Sequence, residues 1–108
     1  LLYKKAVNNN MNKKNKYELM VIIKPLLPDN VKMGLETKII ETLEAGEGKV
    51  TKTDVWGKKF LAYRIKSYSE GYYIVYEFET SSEYIPQIEK SLKSNKDIIR
   101  FLLIKLDK

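Results

Sequence analysis

The chain has neither cysteine nor histidine. Without cysteine there is no disulfide scaffold and no thiolate chemistry. Without histidine it lacks the usual general base, the Ser-His-Asp triad and the commonest zinc ligand. No stretch approaches the roughly 20 apolar residues of a membrane span. No glycine-rich phosphate loop is present either, because Gly46 and Gly48 stand without a third glycine and follow a helical pattern instead of preceding one. Residues 1–16 contain no acid at all. Any catalysis would rest on Asp, Glu, Lys, Ser or Tyr. Glu77 and Glu79 share one face of a strand pattern, but that spacing more commonly marks a solvated face than a catalytic pair. No catalytic residue, metal ligand or cofactor site is assigned.

What is present fits one small domain. The length of 108 residues matches the roughly 100–150 typical of a domain. At 44% hydrophobic and 31% charged, the chain is too apolar to be disordered. Its net charge of +6 is unevenly spread. Residues 1–16 carry five lysines, and residues 49–66 carry six basic residues against Asp54, so each segment is +5 and the remainder is −4. Two basic attachments on a mildly acidic body point to a polyanion partner. Residues 1–16, rich in Asn and Lys, read as a basic flexible tail, and residues 17–108 as the folded domain. No apolar run follows the basic residues, so the tail does not read as a secretory signal. A cytoplasmic location is expected.

Hydrophobic periodicity gives six elements. Residues 17–24 form a strand with one fully apolar face, suited to the middle of a sheet. Residues 29–45 form a helix, with Asp29 as its expected N-cap and Val31, Leu35, Ile39 and Leu43 as its stripe. Gly46 or Gly48 is expected at the left-handed position after it. Residues 49–65 form a long extended segment with a bulge or bend at Gly57. Residues 66–71 are a turn, and residues 72–79 the return strand. Residues 83–93 form a second helix, with Ser82 as cap and Pro86 in its first turn. Residues 98–106 form the last strand. Strand, helix, strand, strand, helix, strand is the ferredoxin-like α+β order, a four-stranded antiparallel sheet with two helices on one face.

Such a sheet leaves one face bare. Met20, Ile22, Arg100, Leu102 and Ile104 fall on it, and this apolar patch fits a protein partner. On that reading Ile22→Glu and Leu102→Glu each leave the fold intact and abolish association. An RNA-binding module with the same fold carries a basic-Gly-aromatic-small-aromatic signature. Glu70-Gly71-Tyr72-Tyr73-Ile74 fails it at three of five positions. Base stacking on the sheet is therefore not expected, and binding would be led by phosphate and shape.

The segment Trp56-Gly57-Lys58-Lys59-Phe60-Leu61-Ala62-Tyr63-Arg64-Ile65-Lys66 resembles the sixth protein of the bacterial small ribosomal subunit, the S-six family. Tyr17-Glu18, Pro25, Gly71-Tyr72-Tyr73, Asn95 and Ile98-Ile99-Arg100 extend the resemblance over residues 17–107. Phe60, where the family usually has a polar residue, reads as an added packing residue. Arg64, where Pro is common, reads as an added phosphate contact. The resemblance implies a structural ribosomal protein, not an enzyme. It would bind small-subunit ribosomal RNA in the central domain (platform) together with ribosomal protein S-eighteen, with no membrane and no small-molecule substrate. The expected RNA contacts are Lys58, Lys59, Arg64 and Lys66, followed by Lys13, Lys14 and Lys16. The alternative from another class is a ferredoxin-like regulatory or ligand-binding domain that homodimerises through its sheet.

Overall fold

The computed structural model describes residues 14–106. The tail expectation for residues 1–13, Lys13 included, lies outside the described residues. The elements run β1 (Lys14–Ile23), α1 (Asp29–Leu43), β2 (Lys49–Ile65), β3 (Tyr68–Ser81), a 3₁₀ turn (Ser82–Tyr84), α2 (Ile85–Ser94) and β4 (Ile98–Lys105). The strands pair antiparallel in the order β2-β3-β1-β4. This is the ferredoxin-like α+β arrangement, with the apolar β1 in the interior of the sheet as expected.

Alternation decides which face of the sheet is covered. Tyr17, Leu19, Val21 and Ile23 of β1 face the same way as Ile74, Tyr76 and Phe78 of β3. All seven are buried, against Leu35, Ile39 and Leu43 of α1 and Ile88 and Leu92 of α2. The fourfold spacing on each helix keeps these side chains on one stripe. Tyr17 and Phe78 are cross-strand partners and stack at 5.5 Å between ring centroids.

The helix ends differ from expectation in two places. Pro28, not Asp29, is the N-cap of α1, and no side chain caps it. Asp29 is already helical, where its charge still favours the positive helix N-terminus. Ser82 begins the 3₁₀ turn and does not cap α2. At the other end of α1, Gly46 takes the left-handed φ of 70° that was expected there. Pro86 sits in the first turn of α2, where its missing N–H leaves no helical bond unmade.

The first strand starts earlier than its apolar pattern shows. Lys14, Asn15 and Lys16, read from sequence as the end of the tail, pair with Ser81, Thr80 and Glu79. The Leu106 N–H also donates to the Lys16 carbonyl at 2.8 Å. Backbone pairing with β3, and at Lys16 with Leu106 as well, holds these residues without apolar side chains.

Tyr76 lies in the core with its hydroxyl buried and unpartnered. Burial, with a smaller contribution from Glu36, pushes its ionisation well above the ordinary phenol value. An unmade buried hydrogen bond costs about 1–3 kcal/mol, so Tyr76→Phe is expected to be neutral or to stabilise by about 1 kcal/mol. The folded state keeps its proton above pH ~10, where the unfolded phenol loses it. Wild-type stability should therefore fall as pH rises past about 10, and Tyr76→Phe should lessen that fall. Urea denaturation of both proteins at pH 7 and pH 10.5 reads both effects. Equal or greater destabilisation of the variant at both pH values would mean the hydroxyl has a partner.

Candidate nucleic-acid interface

Strands β2 and β3 run past the end of β1. Ile23 pairs with Tyr72, while pairing between β2 and β3 continues to Ile65 and Tyr68. The excess is a two-stranded ribbon. Its apex is Lys66 and Ser67, both with positive φ (51° and 72°). Two left-handed residues joining antiparallel strands form the hairpin turn whose twist suits them. The turn is thus two residues long, shorter than the six expected, and β3 gains 68–71 at its start. Gly57, with φ 86°, marks a register shift in β2 between Val55 and Gly57, the bulge expected there.

The ribbon curls over the bare face of the sheet. Gly71 sits against Ile22: a Cβ at residue 71 would overlap Ile22 Cγ2 and come within 3.7 Å of Leu61 Cδ2. Ribbon residues 61–66 and the sheet residues Met20, Ile22, Tyr73, Arg100 and Leu102 line one groove of about 600 Å³. The face assignment from sequence holds, but the exposure it implied does not hold at Ile22. Ile22 is only 7% exposed, covered from within the chain, whereas Leu102 is 57% and Ile104 43% exposed. Ile104 lies farther down β4, opposite Glu18, outside the groove.

The basic residues divide by strand parity. Lys58 pairs with Tyr72 and so faces the helix side; its Nζ lies 3.9 Å from Glu70 Oε1. Lys59 pairs with Gly71 and faces the bare side, with its Nζ 6.0 Å from the Trp56 ring centroid. Trp56 in turn stacks on Tyr73 at 6.2 Å and 12°, and its Nε1–H donates to Asp54 Oδ2 at 3.2 Å. Adjacent strand residues point opposite ways, so one flat duplex cannot take both lysines equally. Arg64 and Lys66 line the groove, joining Arg100 there. Two groups read separately from sequence, the hairpin cations and the apolar patch, thus meet at one end of the molecule.

The strand lysines do not join them. Lys16 and Lys14 lie at the opposite end of β1 from Ile22, about 20 and 26 Å away along the strand at ~3.3 Å per residue. Lys16 is grouped with Lys49 across Glu79. Sequence reading missed Tyr73 and Leu61 as groove residues. The available signal was Gly71 directly before the β-forming run Tyr72-Tyr73-Ile74-Val75-Tyr76, a mark of close backbone approach. Lys32 of α1 was also missed; its Nζ lies 4.0 Å over the Tyr72 ring. Among the described residues no cluster of acidic, histidine or cysteine side chains could hold a metal ion, and no helix is long and apolar enough to cross a membrane.

Comparison with known proteins bears on the family and the fold. The sequence model of the family described as Ribosomal protein S6 matches residues 16–105. The small ribosomal subunit protein bS6 of Moorella thermoacetica is 34% identical over 91 residues, covering 84% of this chain and 93% of that protein. The bS6 protein of Dictyoglomus turgidum is 36% identical over 93 residues, covering 86% and 96%. The crystal structure of 30S ribosomal protein S6 from Thermotoga maritima superposes with a TM-score of 0.81 at 28% identity, covering 87% of this chain and 89% of that one.

Proposed function

The chain belongs to the ribosomal protein S6 family, and from that premise we propose that it binds small-subunit ribosomal RNA in the central domain (platform), paired with ribosomal protein S-eighteen. As a member of that family it is a component of the small ribosomal subunit in the cytoplasmic ribosome and not an enzyme. One observation carries the finer reading. The ribbon places cations and exposed apolar residues around a single groove, so a protein seated on Leu102 would bring its bound RNA against Arg64, Lys66 and Arg100. Lys58 and Lys59 extend the positive surface up both faces of β2. Nothing in the geometry favours the regulatory-domain alternative: the ribbon overlies part of the face through which such a homodimer would pair.

Lysine contacts of this kind act by releasing counterions, so each adds about one unit to the log-affinity against log-salt slope. Lys58→Ala with Lys59→Ala should weaken binding to a central-domain transcript and reduce that slope by about one to two units. Filter binding from 50 to 200 mM KCl measures both. Unchanged affinity with an unchanged slope would remove these lysines from the RNA contact.

A further inference from the structure

Among the described residues the most exposed aromatic outside the groove is Phe60. Its side chain is 82% exposed, contrary to the packing role expected from sequence. Among the described residues the stacked ring pairs are Tyr17 with Phe78 and Trp56 with Tyr73; Phe60 stacks on neither. Tyr63 is equally exposed, but it lines the groove. Phe60 does not. It pairs with Glu70, so it faces away from Gly71 and Ile22, on the side of the ribbon that carries Lys58. The ring therefore stands apart from the apolar protein-docking face. Lys58 and Lys59 precede it and Leu61 follows it, within a segment of net charge +5.

A bare aromatic face with Lys58 on the same side of the strand fits one ligand chemistry, an unpaired nucleobase with an adjacent phosphate. Stacking draws on the π-face that every base has, and Lys58, on the same side of the ribbon, can exchange its contact with Glu70 for a phosphate. We propose that Phe60 stacks on an unpaired base of the bound RNA, with Lys58 on the adjacent phosphate. This rests on the RNA reading above and adds a base contact to a surface otherwise led by phosphate. It does not use the sheet face, where the stacking signature fails.

The test is filter binding of a central-domain transcript, with ribosomal protein S-eighteen present throughout, to the full chain and to Phe60→Leu, Phe60→Trp and the Lys58→Ala/Lys59→Ala variant. A single-stranded decamer and its duplex serve as competitors. Removal of one base stack should weaken binding about tenfold. Phe60→Leu should show that loss with an unchanged salt slope, since no charge is removed, and with unchanged thermal stability, since the ring is exposed. Phe60→Trp should bind at least as well as wild type, and the single strand should compete better than the duplex. If Phe60→Leu binds like wild type while the lysine variant loses affinity and slope, stacking is overturned and the RNA reading stands. If no variant differs, both fall. If Phe60→Leu keeps RNA binding but loses ribosomal protein S-eighteen, the ring is a protein anchor and the proposal is overturned.

Discussion

Ile22→Asp is expected to destabilise the chain by about 3–5 kcal/mol, whereas Leu102→Glu is expected to cost less than about 0.5 kcal/mol. Both residues belong to the bare face of the sheet, on adjacent strands. They differ in what the ribbon covers. Ile22 lies beneath Gly71 and beside Leu61, so a carboxylate there loses the apolar burial and is itself desolvated. Aspartate is the sharper test than glutamate. Arg100 is the cross-strand partner of Ile22, and a longer acid could reach out to it. In a domain of this size 1 kcal/mol moves the melting temperature by about 4–8 °C. Ile22→Asp should therefore melt at least about 12 °C below wild type, and Leu102→Glu within a few degrees of it. Only Leu102→Glu then reports on association, where a buried charge in a protein interface should weaken pairing with ribosomal protein S-eighteen at least about tenfold. Wild-type melting of Ile22→Asp would show that the ribbon does not shield this position. Undiminished pairing of a folded Leu102→Glu would remove the exposed patch from the partner surface.

The contrast between those two positions marks how far the sequence could be read. Alternation in residues 17–24 and the fourfold spacing of Leu35, Ile39 and Leu43 are local signals with a strong hydrophobic driving force. They specified the element order, the central strand and the covered face. Parity also put Ile22, Leu102 and Ile104 on the bare face correctly. Parity says nothing about what else in the chain lies above that face. That depends on the ribbon's curl, which brings residues 61–66 and Gly71 to Ile22 from far along the chain. The early start of β1 escaped notice for a related reason. Lys14, Asn15 and Lys16 are held by backbone hydrogen bonds, which leave no hydrophobic period to detect. The basic residues were legible as a group but not as a geometry. Lys58 and Lys59 are adjacent in sequence, and strand geometry sends them to opposite faces. Phe60 was misread because an aromatic residue after two lysines carries no record of whether a partner ring is near.

The curl itself predicts the consequence of filling the space at residue 71. Gly71→Ala is expected to cost about 1–3 kcal/mol, the range for forcing an extra carbon into a packed site. The cause is steric, because Gly71 is not among the positive-φ residues, so backbone conformation there suits alanine. The atom met is Cγ2 of Ile22. It sits on a β-branched carbon with little rotamer freedom, in a side chain held between two strands. Either Ile22 leaves its rotamer or the ribbon lifts. Lifting would open the groove and separate Arg64 and Lys66 from Arg100, so RNA and partner binding should weaken together. The sole tryptophan, Trp56, stacks on Tyr73 two residues from Gly71, so its fluorescence should change in the folded variant. Ile22→Ala supplies the missing space. Alone it should cost about 2–5 kcal/mol for the lost burial and cavity. Combined with Gly71→Ala it should cost less than the sum of the two by at least about 0.5 kcal/mol, the coupling expected of residues in contact. Urea denaturation of the four proteins completes that cycle. Additive costs, or a Gly71→Ala variant with wild-type stability and tryptophan emission, would show that the ribbon is not held down at this contact.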